Sequence, residues 1–208
     1  MADHPDYLAP YRDAVDEHGG GFEATLWGSR EAQLLRFDVF ADLADFQQCT
    51  IVDAGCGPGD LAAHLIAREI DFGSYIGLDA VPEMIEAARQ RRIDPDRVRF
   101  ETADLVADPT CFQGLGADWI CFSGTLNTMT EPTAQALIAT AFAAAAQGVA
   151  FNFLSNRCHA RWADRILAPA TRFDTAAWLD WALDRTSRVA FTQDYLDGHD
   201  ATIVLRHD

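Results

Sequence analysis

The stretch Val52–Asp60, VDAGCGPGD, sets three glycines at alternate positions between an apolar run and an acid. A strand, a glycine-rich turn and a helix in that order make a ligand-binding element of open parallel sheets, with the ligand at the carboxyl end of the strand. The glycines allow a tight turn and a close approach of ligand to backbone. A dinucleotide fingerprint reads GxGxxG, its third glycine serving close helix–strand packing. Here the glycines are Gly55, Gly57 and Gly59, so the third falls one position early. Asp60 would stand at the helix N-terminus, where a pyrophosphate would otherwise lie, and would repel it. A P-loop needs a lysine, and this chain has none. The two acids bracketing the turn, Asp53 and Asp60, suit a ligand with positive charge, such as an amino group or a sulfonium. The plain alternative is a turn that only joins a strand to a helix.

Three further features fall in register with the turn. Asp79, in GLDA, ends the next apolar run about 20 residues on, where an acid accepts hydrogen bonds from both hydroxyls of a ribose. Asp104, in ETADL, follows the third run, where a carboxylate can accept from an adenine exocyclic amine. CFSGTLN, from Cys121 to Asn127, closes the fourth. Each acid alone is an ordinary loop residue. Together, at the carboxyl ends of consecutive strands, they outline a nucleoside pocket.

The elements that must position these residues alternate. TIVDA, SYIGLD, RVRFETAD, ADWICFSG and GVAFNFLS read as strands. PGDLAAHLIAREI, VPEMIEAARQRR and EPTAQALIATAFAAAA read as the helices between them, the last two with proline in the first turn. DTAAWLDWALDR is a further helix, and the chain closes as two strands about a turn at Asp197-Gly198. This order predicts an α/β fold: a Rossmann-like, seven-stranded, mostly parallel sheet with right-handed crossovers and helices on both faces. The last two strands form a C-terminal antiparallel hairpin at one edge. Before the sheet, PDYLAPYRDAVDEH suggests a short helix, and Ser29 caps a longer one over REAQLLRFDVFADL, with Leu34, Leu35, Val39 and Leu43 near helical spacing. The chain is a single domain: an N-terminal helical cap over 1–48, a ligand-binding core over 50–155, a substrate lid over 156–174, and a helix and hairpin over 175–208.

Composition narrows the partners. The 208 residues carry 32 acids against 16 bases, a formal charge of -16. Phosphate contacts need a basic face, so nucleic acid and anionic membranes are disfavoured. The acidic N-terminus lacks the apolar core of a signal peptide, and no run approaches the roughly 20 residues of a membrane span, so the expected location is cytoplasmic. The five cysteines form no CxxC pair, and neither they nor the six histidines show zinc-like spacing, so no metal site is expected. The lysine-free, acidic composition fits GC-rich coding or an acidic, salt-adapted surface. Oligomeric state is not legible.

VDAGCGPGD, GLDAVPEMIEAA and ETADL resemble the first three motifs of class I S-adenosylmethionine-dependent methyltransferases. The resemblance covers residues 50–155, and the order of elements extends it to the C-terminus. LWGSREAQLLRF, FSGTLN, FNFLS and QDYLDGHDATIVL resemble a narrower group of small bacterial members of unsettled substrate. The resemblance implies S-adenosylmethionine as cofactor and S-adenosylhomocysteine as product, while the acidic charge, which disfavours nucleic acid, makes a small molecule the expected acceptor. It implies that Gly55, Cys56 and Gly57 offer backbone to the methionyl part and that Asp53 shapes the turn and balances the ligand amine. Asp79 would hold the ribose, Ala80 and Met84 would pack on the adenine face, and Asp104 with Leu105 would read its edge. The backbone near Phe122 and Ser123 would meet the amino-acid end. Arg36 would pair with the cofactor carboxylate, or else be a surface arginine. Pro58 stands where Thr or Ser is common, which removes a donor but not the turn.

Methyl transfer from a sulfonium rests mainly on positioning, and a base is needed only for an acceptor protonated at neutral pH. His159, Tyr11, Asn127, Ser123 and Asn152 are candidates at the expected mouth, and only His159 titrates near neutrality unperturbed. His159 is otherwise an exposed histidine. The segment NRCHARWADRILAPATRFD holds Arg157, Arg161, Arg165 and Arg172, a basic patch able to capture an anionic substrate, with Trp162 as an apolar wall, or a solvated face. Tyr7, Tyr11, Phe22, Trp27 and Phe37 suggest that the N-terminal section closes over the pocket. Two other classes remain: a protein that binds the cofactor without transferring its methyl, and a nicotinamide-dependent oxidoreductase.

Overall fold

The computed structural model describes residues 6–208. Seven strands form one sheet: β1 (Thr50–Ala54), β2 (Ser74–Asp79), β3 (Val98–Thr102), β4 (Trp119–Phe122), β5 (Gly148–Leu154), β6 (Val189–Thr192) and β7 (Asp200–Arg206). Their order is β3-β2-β1-β4-β5-β7-β6. The first five are parallel, and β7 runs antiparallel to both β5 and β6. The expected hairpin therefore exists, with its second strand inserted between its first and the rest of the sheet. The direction of winding reverses between β1 and β4, and at such a switch point the loops part to leave a crevice.

Buried strands need apolar residues on both faces, and the sheet supplies them by alternation. Val52, Ala54, Ile120, Phe122, Phe151 and Phe153 point into one core layer, with α5 (Glu131–Ala144) and α7 (Thr175–Leu183) against it. Ile51, Tyr75, Trp119, Cys121, Ala150 and Val204 point into the other, against α2 (Arg30–Leu43), α3 (Asp60–Ala67) and α4 (Pro82–Gln90). Trp178 of α7 stacks on Phe173 at 5.4 Å, and its indole N–H donates to Glu131 at 2.8 Å, so a large ring is buried without orphaning its donor.

The expected first helix over Pro5–His18 begins at Ala9 as α1 (Ala9–His18), with Pro5 outside the described residues. Ser29 caps α2 by accepting from the Ala32 N–H at 3.1 Å. Ser29→Ala is expected to cost about 1 kcal/mol in urea unfolding, the usual loss for an N-cap hydroxyl. The buried face of α2 only partly matches the face read in the sequence: Leu34 and Leu43 do pack against the core. Leu35 is exposed, whereas Gln33, Arg36, Phe37 and Phe40 are buried. The helix turns two polar side chains inward because acids on distant elements await them.

Candidate functional site

A cleft of about 760 Å³, part of it open solvent, lies over the carboxyl ends of β1, β2 and β4. Asp53 and the glycine turn form its floor, Asp79, Ala80, Val81, Met84 and Leu105 one side, and Ser123, Gly124 and Thr125 the other. The N-terminal section forms its roof through Tyr7, Leu8, Tyr11, Thr25, Trp27 and Phe37. The roof expected from the aromatic N-terminus is thus built partly from the residues named, though Phe22 lies outside the lining, under the guanidinium of Arg30.

The glycine turn is chemically closed to anions. The N–H groups of Gly55 and Cys56 both donate to the Leu78 carbonyl, at 2.8 and 3.0 Å. The Gly57 N–H donates to Asp79 Oδ2 at 2.9 Å, and the Gly59 N–H to the Cys56 carbonyl at 3.0 Å. Pro58 has no N–H to give. A phosphate cradle needs N–H groups turned toward the ligand, and these are spent within the protein. The turn can therefore offer Gly55, Cys56 and Gly57 to a ligand as shape and as carbonyl acceptors, not as donors. Gly55, Gly57 and Gly59 all have positive φ, which glycine adopts without penalty. A Cβ on Gly59 would come within 2.6 Å of the Phe100 ring. Gly59 thus performs the helix–strand packing of a dinucleotide fingerprint's third glycine, one position early.

Three acids line the cleft, and they differ. Asp60 is spent: it accepts from Arg30 at 2.9 Å, Arg91 at 2.8 Å and Gln33 at 3.2 Å. This corrects the expectation that it balances a cationic ligand, and it explains the inward turn of Gln33. Asp79 brackets the turn, with Oδ2 on the Gly57 N–H and Oδ1 on the Val81 N–H, both at 2.9 Å. Burial raises its pKa, and those N–H bonds oppose the rise. Asp53 is buried, and its Oδ2 accepts from the Tyr75 hydroxyl at 2.5 Å. Burial pushes its carboxyl up to about 7, partly offset by Tyr75, with Asp79 and Asp60 adding to the rise.

A pKa raised on folding means that the native state binds more protons, so Asp53 stabilises the protein below the unfolded value near 4, and that contribution is lost as pH climbs toward 7. A cation in the cleft reverses the preference. Affinity for a cationic ligand balanced by Asp53 is expected to rise up to tenfold per pH unit below about 7 and to flatten above it, in calorimetric titrations. Asp53→Asn should flatten the whole profile.

Other expected site residues divide. Met84, Ala80, Leu105, Ser123 and Tyr11 line the cleft. Tyr11 donates weakly to the Gly124 carbonyl at 3.4 Å, and burial pushes its hydroxyl up to about 12, so it acts as a donor and not as a base. Asp104 lies behind the lining and accepts from the Tyr7 hydroxyl at 2.6 Å. Against the pull of burial, bonds from Tyr7, Ala107 and Val106 hold its carboxyl low. Tyr7 therefore stands where adenine was expected to meet Asp104, a contact the sequence reading lacked. The Phe122 side chain packs against Phe112 in the core, and its strand delivers Ser123 and Gly124 to the cleft instead. Burial drives the Cys56 thiol well up, which leaves it inert.

Arg36 fits neither of its expected roles. It is 4% exposed, and its guanidinium grips Asp200 with two bonds of 2.7 and 2.5 Å, donates to the Ala32 carbonyl, and lies over the Trp27 ring at 4.5 Å. Its charge is matched inside the protein, and it does not line the cleft. Asn127 is likewise structural: its Nδ2 donates to Thr171 and its Oδ1 accepts from Leu154. Asn152 holds the Gly124 N–H at 2.9 Å and donates to Ser123 at 3.3 Å.

His159 is exposed, caps α6 (Ala160–Ala163), and does not line the cleft, so it has no place as a base. None of residues 156–174 lines the cleft, which removes the geometric basis for a lid there. Their basic patch is also largely committed. Arg172 donates to the carbonyls of Ser155, His199 and Trp162, Arg161 pairs with Asp197, and Arg161 and Arg165 both lie over the Trp162 ring. Among the described residues, no group of three or more His, Cys, Asp or Glu side chains could hold a metal. No described helix is long and apolar enough to cross a membrane.

Residues 51–148 match the family model for a methyltransferase domain. A curated relative, trans-aconitate 2-methyltransferase of Sinorhizobium fredii (strain NBRC 101917 / NGR234), is 36% identical over 69 residues, which span 33% of this chain and 25% of that protein. Among solved structures, an O-methyltransferase family protein from Burkholderia thailandensis superposes with a TM-score of 0.71 at 20% identity, over 89% of this chain and 58% of that one. Magnesium protoporphyrin IX methyltransferase from Synechocystis PCC 6803 with bound SAM superposes with a TM-score of 0.69 at 17% identity, over the full length of both chains. At such identities the superpositions speak for the fold, and the matched domain coincides with the strands and turn that floor the cleft. Residues 51–148, just under half of the chain, carry a methyltransferase domain, and the sheet around it resembles that of the class I S-adenosylmethionine-dependent methyltransferases.

Proposed function

We propose that this protein transfers a methyl group from S-adenosylmethionine to a small molecule bound under its N-terminal cap. The observation that carries the reading is the glycine turn, whose N–H groups are all committed while Asp53 and Asp79 face the same cleft. Such a site rejects a pyrophosphate and accepts a nucleoside with a cationic, phosphate-free tail. That argues against a nicotinamide-dependent reading. A Cβ on Gly55 would collide with Thr125 Oγ1 at 2.5 Å, so glycine at this position lets Thr125 pack directly against the turn.

In this reading Asp79 accepts from the ribose hydroxyls, and Met84, Ala80 and Leu105 pack on the base. When bound, the cofactor supplies a methyl sulfonium electrophile. An acceptor held in the cleft would have to present a lone pair to that methyl, in line with the bond to sulfur. Ser123 and Tyr11 orient that lone pair by hydrogen bonding. A proton lost by the acceptor passes to water, since Asp53 in this reading stays ionised opposite the cationic ligand.

The roof over the cleft and the charge support a small acceptor. A chain of formal charge -16 does not gather polyanions, and among the described residues no Arg, Lys or His lines the cleft. All five cysteines are free thiols, which fits a reducing cytoplasm. The test is calorimetric titration of the protein with S-adenosylmethionine, S-adenosylhomocysteine and a nicotinamide dinucleotide. Binding of the first two at tens of micromolar or tighter, with none of the third, is expected. Binding of the dinucleotide alone would overturn the reading. Binding without turnover in a broad acceptor screen would identify a non-transferring cofactor binder.

A further inference from the structure

The Arg36–Asp200 pair ties the cap to β7 beside the cleft, and both carboxylate oxygens are engaged. The guanidinium lies over the face of Trp27. The edge of the same indole meets Gly124 so closely that a Cβ there would sit 2.3 Å from Trp27 Cζ2. Gly124 is itself pinned, its N–H by Asn152 and its carbonyl by Tyr11. Trp27 and Gly124 both line the cleft. A chain of contacts thus runs from β7 through Arg36 to an aromatic wall and the end of β4.

We propose that Arg36 and Asp200 are positioning residues that press Trp27 onto Gly124, and that Trp27 so held is the wall limiting what may project from the cofactor sulfur toward the acceptor. This rests on the methyltransferase reading. The side of the cleft follows from strand order. Asp79, Met84 and Leu105 sit beyond β2 and β3, on one flank of β1, while Gly124 and Asp200 sit at β4 and β7, on the other flank. The nucleoside takes the first flank, so Trp27 confronts the reacting end. Stability alone is a poor reason for the pair, since apolar residues of similar size usually replace a buried ion pair at no cost or with gain. What apolar residues do not supply is direction. A two-pronged ion pair with a ring stacked beneath it fixes the plane of an indole. A wall displaced by about 1 Å costs on the order of a hundredfold in a reaction that depends on alignment.

The test uses calorimetry with three probes: S-adenosylhomocysteine, S-adenosylmethionine, and the analogue bearing a benzyl group on sulfur in place of methyl. Wild type is expected to bind the first two and to reject the benzyl analogue by at least a hundredfold. Trp27→Ala should keep S-adenosylhomocysteine affinity within about threefold while narrowing that rejection tenfold or more. The double variant Arg36→Leu with Asp200→Leu should do the same with its melting temperature near wild type, which separates positioning from folding. Trp27→Phe should restore part of the rejection. Unchanged rejection in both Trp27→Ala and the double variant would overturn the proposal. So would an equal loss of affinity for all three probes, which would place Trp27 on the cofactor end. If wild type binds none of the three, the methyltransferase reading falls instead.

Discussion

Asp79→Ala is expected to weaken S-adenosylhomocysteine binding by about 10- to 150-fold, the equivalent of roughly 1.5–3 kcal/mol for hydrogen bonds to a charged acceptor. Two losses combine in that figure. The ribose hydroxyls would lose their acceptor, and the Gly57 and Val81 N–H groups would lose the carboxylate that holds the turn in shape. Asp79→Asn keeps an acceptor oxygen but can satisfy only part of this set, so an intermediate loss is expected. Melting temperature measured beside the titration separates the two contributions. A variant that melts lower yet binds as tightly would make Asp79 a bracket of the turn alone.

Arg36→Ala is expected to destabilise the fold by about 3–5 kcal/mol, because it strands a carboxylate that is 2% exposed. That is a large share of the roughly 5–15 kcal/mol typical of a domain. Burial pushes the Asp200 carboxyl up, and Arg36 is the chief opposing influence. Without Arg36 the carboxyl should hold its proton to higher pH. The sign then follows: a folded-state pKa above the unfolded one makes the variant relatively most stable in acid, with the deficit growing as pH rises through the folded value. Urea unfolding at pH 5 and pH 8 checks this, and a deficit independent of pH would mean that Asp200 finds another partner.

Most of the sheet was legible because its signals are local. TIVDA and SYIGLD coincide with β1 and β2, Ser29 caps α2, and strand–helix alternation predicts a parallel sheet before any contact is known. The insertion of β7 between β5 and β6 was not legible, since a hairpin pattern says which strands turn into each other and not which one faces the sheet. On α2, leucine spacing placed Leu34 and Leu43 rightly against the core but missed that Leu35 points out and that Gln33 and Arg36 point in. Gln33 and Arg36 are inward only because Asp60 and Asp200 lie 27 and 164 residues away, and no window of sequence contains both partners. The same blindness affected the site. Asp53, Asp79 and the turn are consecutive along the sheet edge and so read together. The Tyr7–Asp104 contact and the Trp27 wall join residues 97 positions apart in sequence or more, through the cap. The arginines of 156–174 read as a free basic patch because charge is visible in sequence and its partners are not.

The distance between Arg36 and Asp200 also sets an order of events on the ribosome. At roughly 5–20 residues per second, the aspartate is added about 8–33 seconds after the arginine. Through that interval the nascent chain can form β1, β2 and the glycine turn, which are local. It cannot yet anchor the indole that faces them, since closing so long a loop must await the far strand. The floor of the cleft is therefore an early product of synthesis and its acceptor-side wall a late one. A chain not yet extended to Asp200 would therefore carry the glycine turn with Trp27 still unanchored.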